Sequence, residues 1–182
     1  MPPPFLILIC GSSGSGKSTL AQALASRVQG AVIHQDNFFL MPFLRYCERV
    51  DDAFEGPENV DWPRLRQEVK QQVQEHVVIA EGHLLALDEE LVAAASLCVI
   101  LECPAEVCKT RRLDRRTRPE DERQELEEYI DRFVRPAFLK TGVPALTALE
   151  KTCQAAGKPL QVLDAEIALE KQVDAIIGCF PD

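Results

Sequence analysis

FLILICGSSGSGKSTLAQALASRV, running from Phe5 to Val28, joins an apolar run, a glycine-serine turn and an amphipathic segment without a break. Phe5–Cys10 is apolar throughout with no polar alternation, the habit of a strand covered on both faces. Leu20, Ala21, Leu24, Ala25 and Val28 recur at spacings of three and four, so Lys17–Val28 is expected to be a helix with one apolar stripe. Between the two, Gly11-Ser12-Ser13-Gly14-Ser15-Gly16-Lys17-Ser18 satisfies G-x-x-x-x-G-K-[ST] in full, with the strand before it and the helix after it that the pattern requires. Glycines let successive backbone N–H groups converge on phosphate oxygens, and the helix start adds its positive end. Lys17 supplies a point charge for the β- and γ-phosphates, the Ser18 hydroxyl can ligate Mg²⁺, and Thr19 offers a second hydroxyl. These residues read as a nucleoside triphosphate site.

Four further apolar runs follow: Ala31–His34, Val77–Ala80, Leu97–Leu101 and Leu160–Leu163. Helical patterns separate them. Asp61 is a good N-cap for a helix whose first residue is Trp62, with Pro63 tolerated in the first turn, and Leu65, Val69 and Val73 repeat at four. Further helices are expected over Ala105–Arg116, about Glu122–Phe138, Ala145–Ala156 and Glu166–Ile177, with Gly157 and Gly178 as stops. Strands alternating with helices imply βαβ units and one mostly parallel sheet, hence an α/β fold. Residues 1–182 are expected to form a single domain. Asn37–Asn59 and the stretch around Arg115–Asp121 lack periodicity and are expected as loops over a site.

Composition bounds the function. Of 182 residues, 46% are apolar and 27% charged, as in an ordinary globular domain. The longest apolar run, Phe5–Cys10, is far short of the roughly 20 residues of a membrane span. No basic residue precedes it as in an export signal. Seven cysteines, an odd count, suit reduced thiols and a cytoplasmic enzyme better than a disulfide framework. Cys98, Cys103 and Cys108 match no zinc spacing and are expected as buried thiols, while His34 and His83 are expected in structural hydrogen bonds. A net charge of −9 argues against coating nucleic acid. Yet KTRRLDRRTR, Lys109 to Arg118, holds six basic residues and one acid, a local +5 against −14 elsewhere.

Ligands of open parallel sheets collect at the carboxyl ends of strands, and three acids fall there. Asp36 sits just beyond Val32-Ile33-His34, where it could accept the proton of an attacking hydroxyl. Glu81 follows Val77–Ala80, where it could help hold hydrated Mg²⁺. Asp61, at the head of its helix, could accept from vicinal sugar hydroxyls or simply cap. No Asn-Lys-x-Asp guanine-reading motif occurs, which lowers a GTPase switch.

In order along the chain, GSSGSGKSTLA, QDNFF at Gln35–Phe39, NVDWPRL at Asn59–Leu65, EGHLL at Glu81–Leu85, ECPAEVCKTRRLDRRTR, YIDRFVRPAFLK at Tyr129–Lys140 and LQVLDA at Leu160–Ala165 form a set. That set resembles the nicotinamide riboside kinases of the uridine kinase-like P-loop group. The resemblance implies a three-layer P-loop kinase sandwich, with about five parallel strands in the order 2-3-1-4-5. It implies a lid near residues 115–125 and an acceptor loop near 37–60. ATP would be the phosphoryl donor with Mg²⁺, and the acceptor the 5′-hydroxyl of a ribonucleoside-like small molecule, nicotinamide riboside first and uridine or cytidine next. Asp36 would be the base, Asp61 would hold the ribose diol, and Glu81 with Ser18 would sit near Mg²⁺. Arg112 and Arg115 would approach the nucleotide phosphates or, for Arg115, also the substrate, and Asp121 the substrate. Two positions depart from the family: Thr117 and Val60 stand where aromatic residues are usual. Trp62, Phe38, Phe39 or Tyr129 could replace that platform, and Leu40–Gly56, with Met41, Pro42, Phe43, Leu44 and Tyr46, could wrap the acceptor. Other small-metabolite kinases, and a non-catalytic nucleotide-binding regulator, are the remaining readings. No partner is implied beyond a monomer or homodimer.

Overall fold

The computed structural model describes residues 5–42, 44–74 and 77–180. Five strands, β1 (Phe5–Cys10), β2 (Ala31–His34), β3 (Val77–Gly82), β4 (Leu97–Glu102) and β5 (Leu160–Asp164), form one parallel sheet in the order β2-β3-β1-β4-β5. Both the class and the strand order match the expectation. The unbroken apolar runs are explained by what covers them. Leu6, Leu8 and Cys10 face one core, with Leu65 and Val69 of α2 (Trp62–Gln72), Leu91 of α3 (Glu89–Ala94) and Leu149 and Cys153 of α7 (Val143–Ala156). Ile7 and Ile9 face the other, with Leu20 and Leu24 of α1 (Lys17–Val28) and Val173 and Ile176 of α8 (Leu169–Ile177). Alternate side chains of β1 thus enter opposite layers, and neither face can be polar.

Several boundaries differ from the sequence reading. β3 continues through Glu81, which is therefore a strand residue paired with His34 of β2 and Ile9 of β1. After α4 (Ala105–Asp114) the irregular stretch is only residues 115–119, because α5 (Glu120–Tyr129) already begins at Glu120. Its first turn carries Glu120, Asp121 and Glu122, carboxylates that favour the positive end of a helix. The break expected between Phe138 and Ala145 is absent. The chain stays helical from α5 through α6 (Arg135–Ala137) into α7 by way of two wide π turns, Ile130–Val134 and Phe138–Gly142. Each π turn immediately precedes a proline-containing segment, Pro136 and Pro144. A proline inside an α-helix lacks its N–H and crowds the carbonyl four residues back, and the wider turn relieves that clash. α8 starts at Leu169 rather than Glu166, since the Glu166 N–H donates to Asp164 Oδ1 in a local turn that competes with the helix. Gly157, at φ 62°, caps α7 as expected. Phe43 lies outside the described residues. No described helix is long and apolar enough to cross a membrane.

Asp61 caps α2, its Oδ1 accepting from the Arg64 N–H at 3.2 Å. Asp61→Ala is expected to lower unfolding stability by about 1 kcal/mol, read as a drop in the urea midpoint at unchanged slope.

Candidate active site

The glycine-serine loop leaves the carboxyl end of the central strand β1 and enters α1. Gly14 has φ +90°, and a Cβ there would lie 2.4 Å from the Cys108 carbonyl oxygen, so only glycine lets the loop pass this close to α4. The Lys17 ammonium is buried and donates to the Ser12 carbonyl at 2.7 Å. Burial lowers its pKa, while Glu81 and then Asp36 oppose that loss of charge. Ser13, Gly14, Gly16, Lys17, Ser18 and Thr19 line a cleft of about 320 Å³ together with Asp36, Glu81, His83 and Arg115. Ser12 and Ser15 take scaffold positions instead: Ser12 through its carbonyl, Ser15 through its carbonyl's bond to Arg111. Gly11 is packed against the Leu101 backbone. The Ser15 hydroxyl is buried without a hydrogen-bond partner among the described residues, an orphan donor inside an anion loop.

Strand register assembles the carboxylate side. Because β2 and β3 are paired with His34 opposite Glu81, the two side chains meet, His34 Nδ1 lying 2.7 Å from Glu81 Oε1. The Gln22 amide lies 3.2 Å from His34 Nε2 and donates to it, so Nδ1 carries the proton and donates to Glu81. The Ser18 hydroxyl donates to the same Glu81 oxygen at 2.9 Å. A hydroxyl and a carboxylate side by side are the hard oxygen donors that Mg²⁺ takes from a protein, with phosphate and water supplying the rest. No larger metal-ligating cluster exists among the described residues.

Asp36 follows β2 in the short turn Gln35–Phe38 and is an exposed residue that lines the cleft. Desolvation there, and Glu81 next, raise its pKa above the usual aspartate value, while Lys17, Arg115 and Arg112 pull it back.

The basic run separates into three fates. Lys109 pairs with Glu127 and Asp131, and Arg116 with Glu122. Arg111 donates to the Ser15 and Ala165 carbonyls at 3.0 Å each, bracing the phosphate loop, and Arg118 donates to the Leu113 carbonyl at 2.9 Å. Arg115 remains for the cleft, and Arg112 lines the cavity that adjoins it. Arg112 Nη1 is buried with no hydrogen-bond partner, and Arg115 makes no hydrogen bond or ion pair among the described residues.

A second cavity, about 410 Å³, adjoins the first and shares Ser13, Asp36, His83 and Arg115 with it. Phe39, Met41, Tyr46, Arg49, Phe54, Glu55 and Leu126 supply its walls. Two acids named from the sequence are not among them. Asp61 serves as the α2 cap, and Asp121 is an exposed residue of the first turn of α5. Trp62 also turns away, its indole N–H donating to the Pro57 carbonyl at 2.9 Å. Val60 is a core residue bridged to Phe39, and Thr117 is exposed.

The acid that the cavity does hold is Glu55, which sequence reading missed. Its Oε1 accepts from the Tyr129 hydroxyl at 2.7 Å. Burial and Glu55 push the Tyr129 hydroxyl's pKa up, so Tyr129 stays a donor. His83 Nε2 is buried without a hydrogen-bond partner and lies 3.8 Å from Glu55 Oε2. Its pKa is pushed down to about 3 by burial and then by Lys17 and Arg112, so the ring is neutral. No local signal could have singled out Glu55, which lies 74 residues from Tyr129 in sequence. Of the three cysteines expected to be buried, Cys98 and Cys108 are and Cys103 is only half-buried; Cys10 and Cys153 are buried as well, and all seven are free.

A family model described as an AAA domain matches residues 7–131. Among curated proteins, the chain is 28% identical over 167 residues to a uridine kinase of Deinococcus deserti, covering 75% of this chain and 80% of that protein. It is 27% identical over 175 residues to a uridine kinase of Haemophilus influenzae, covering 76% and 81%. Among solved structures, a gluconokinase from Sinorhizobium meliloti superposes with TM-score 0.54 at 18% identity, over 97% of this chain and 91% of that one. A putative fructose transport system kinase from a Silicibacter species gives TM-score 0.56 at 18% identity, over 83% and 86%. These likenesses bear out the P-loop kinase sandwich as the fold.

Gly14→Ala forces a side chain onto the Cys108 carbonyl at a left-handed backbone position. The strain, about 1–3 kcal/mol, is expected to weaken nucleoside triphosphate binding measured by calorimetry, while circular dichroism stays that of the parent.

Proposed function

Because the chain belongs to the AAA-domain P-loop family, we propose that it is a phosphotransferase that moves the γ-phosphoryl group of ATP to the 5′-hydroxyl of a ribonucleoside-like metabolite. One observation carries the reading: Asp36 lines both the phosphate cleft and the adjoining cavity. A hydroxyl held in the second cavity would meet a carboxylate at the mouth of the first, where in-line transfer needs its proton acceptor. Lys17 and the loop N–H groups hold the phosphates, and Arg112 and Arg115 face the charge that spreads over the transferring group. Ser18 and Glu81 would hold Mg²⁺, which would supply charge neutralisation to the phosphates. The His34 N–H keeps the Glu81 carboxylate turned toward Ser18. Asp36, on the acceptor side, aligns the attacking oxygen and takes its proton.

The resemblance in the sequence puts nicotinamide riboside first as acceptor, whereas the relatives at 24–28% identity carry the name uridine kinase. Both share the 5′-hydroxyl and differ in the ring attached to ribose. Glu55 and His83, rather than Asp61 and Asp121, are the cavity groups proposed to meet the acceptor's polar atoms. Intact Lys17, Ser18 and Asp36 favour catalysis over a purely regulatory nucleotide site.

A kinase assay with ATP, Mg²⁺ and a panel of uridine, cytidine, adenosine, nicotinamide riboside, pantothenate and gluconate tests the proposal. Asp36→Asn is expected to lower kcat by about 10²–10⁴-fold with ATP affinity retained, and full activity in that variant would remove Asp36 from its role. Since the base must be ionised and its pKa is raised, the acid limb of the kcat/KM profile is expected above the ordinary aspartate value of about 3.9, with activity lost as pH falls through it.

A further inference from the structure

The pairing of β2 with β3 ends at His34 and Glu81, and the residues just beyond border the phosphate cleft. Gln35, the first residue after β2, is 1% exposed and lines neither the cleft nor the cavity beside it. Its side chain crosses to the end of β3 instead. Gln35 Oε1 accepts from the Leu84 N–H at 3.0 Å, and a Cβ on Gly82 would lie 2.2 Å from that oxygen and 2.6 Å from the Gln35 Cβ. Glycine at 82 is therefore what lets the glutamine lie across the strand end. His34 makes the neighbouring tie, to Glu81, at 2.7 Å. Two consecutive side chains thus continue, where the ladder stops, the joining that backbone groups perform within it.

Packing alone does not account for a glutamine at this place. Its Nε2 is buried with no hydrogen-bond partner among the described residues, so the amide is only half satisfied. An unpaired buried donor is costly, and a methionine of similar length would fill the same space without that cost. What glutamine supplies and methionine lacks is the acceptor for Leu84. Asp36 follows directly in the chain. It lies in the turn Gln35–Phe38, whose two ends are buried while Asp36 and Asn37 between them are exposed. The Phe38 end is fixed from the far side, its carbonyl accepting from the Asp61 N–H at 2.8 Å. An exposed carboxylate on so short a turn takes its place from the two anchors. Gln35 is the anchor that ties it to β3, the strand that carries Glu81.

Resting on the phosphotransferase reading above, we infer that Gln35 is a positioning residue for the transfer. It holds the Asp36 carboxylate in fixed relation to the end of β3, so that the acceptor hydroxyl is met at the mouth of the phosphate cleft. It touches neither phosphate nor acceptor and acts through Asp36. Misplacing a catalytic group by about 1 Å costs up to about a hundredfold in rate. Loss of the tie is therefore expected to lower kcat and to spare nucleotide binding, which rests on the loop and Lys17.

The test compares wild type with Gln35→Met, which removes the acceptor, and Gln35→Asn, which draws the amide oxygen back by one methylene. Each is assayed with ATP and Mg²⁺ on whichever of uridine, cytidine and nicotinamide riboside wild type turns over fastest. Gln35→Met is expected to lower kcat about ten- to a hundredfold, with calorimetric ATP affinity and both KM values within about twofold. Its Leu84 amide hydrogen is expected to exchange about tenfold faster or more, and Gln35→Asn to show smaller changes in the same direction. The deciding comparison is made in the Asp36→Asn background, where Gln35→Met is expected to lower kcat by no more than about twofold. An equal loss in both backgrounds, or ATP affinity lost along with kcat, is general loosening and overturns the inference. Full kcat in Gln35→Met overturns it and leaves the kinase reading intact. Where Gln35→Met does not fold, Gln35→Asn is read by the same comparison, and failure of both to fold makes Gln35 a core residue only, which overturns the inference too. Turnover of no acceptor by wild type overturns both readings.

Discussion

Lys17 is a cation taken almost wholly out of water, and the site is organised around the cost of that burial. An isolated buried ammonium would give up its proton, so the fold must bring negative charge and hydrogen-bond acceptors to it. The Ser12 carbonyl, Glu81 and Asp36 do this from three directions. Each comes from a different part of the chain: the loop itself, the end of β3 and the turn after β2. The same two carboxylates that hold Lys17 charged are the groups suited to Mg²⁺ and to the acceptor hydroxyl. Electrostatic support of the loop and the proposed transfer chemistry therefore rest on one set of atoms.

Parallel register is what makes this possible. β1 lies in the middle of the sheet, so the loop that leaves it is flanked by the ends of β3 and β4. Pairing of His34 with Glu81 converts a backbone alignment into a side-chain relay from Gln22 through His34 to Glu81 and Ser18. A shift of register would separate His34 from Glu81 and leave that buried carboxylate with fewer donors. On the β4 side, α4 passes so close to the loop that glycine is required at Gly14, and Arg111 ties the two together.

The basic run illustrates how far linear charge can mislead. Read as a string, Lys109 to Arg118 is a +5 patch facing one anion. Folded, four of its six cations are occupied with carboxylates or backbone carbonyls, while Arg115 lines the cleft and Arg112 the cavity beside it. Asp61 shows the converse case, where a residue suited to two roles is seen in the local one, capping the helix it begins.

The strands, the phosphate loop with Lys17 and Ser18, and the position of Asp36 were legible in the sequence because each rests on local pattern. Unbroken apolar runs, a glycine spacing and an acid at a strand end are all read within a few residues. The continuous helix from Glu120 to Ala156 was not legible, since Pro136 and Pro144 argue for breaks that two π turns absorb. Nor were Glu55, His83 and Arg49 as the character of the acceptor cavity. Their contacts span the chain, Glu55 to Tyr129 across 74 residues and Arg45 to Glu125 across 80, and a loop without periodicity carries no mark of what it will face. The sequence by itself determined a parallel α/β sheet with a phosphate-loop motif and an acid beyond the end of β2, because hydrophobic period and backbone permissiveness act locally. Only the tertiary structure decided which charges line the second cavity, because burial and long-range pairing, and not residue type, set what each side chain is left to do.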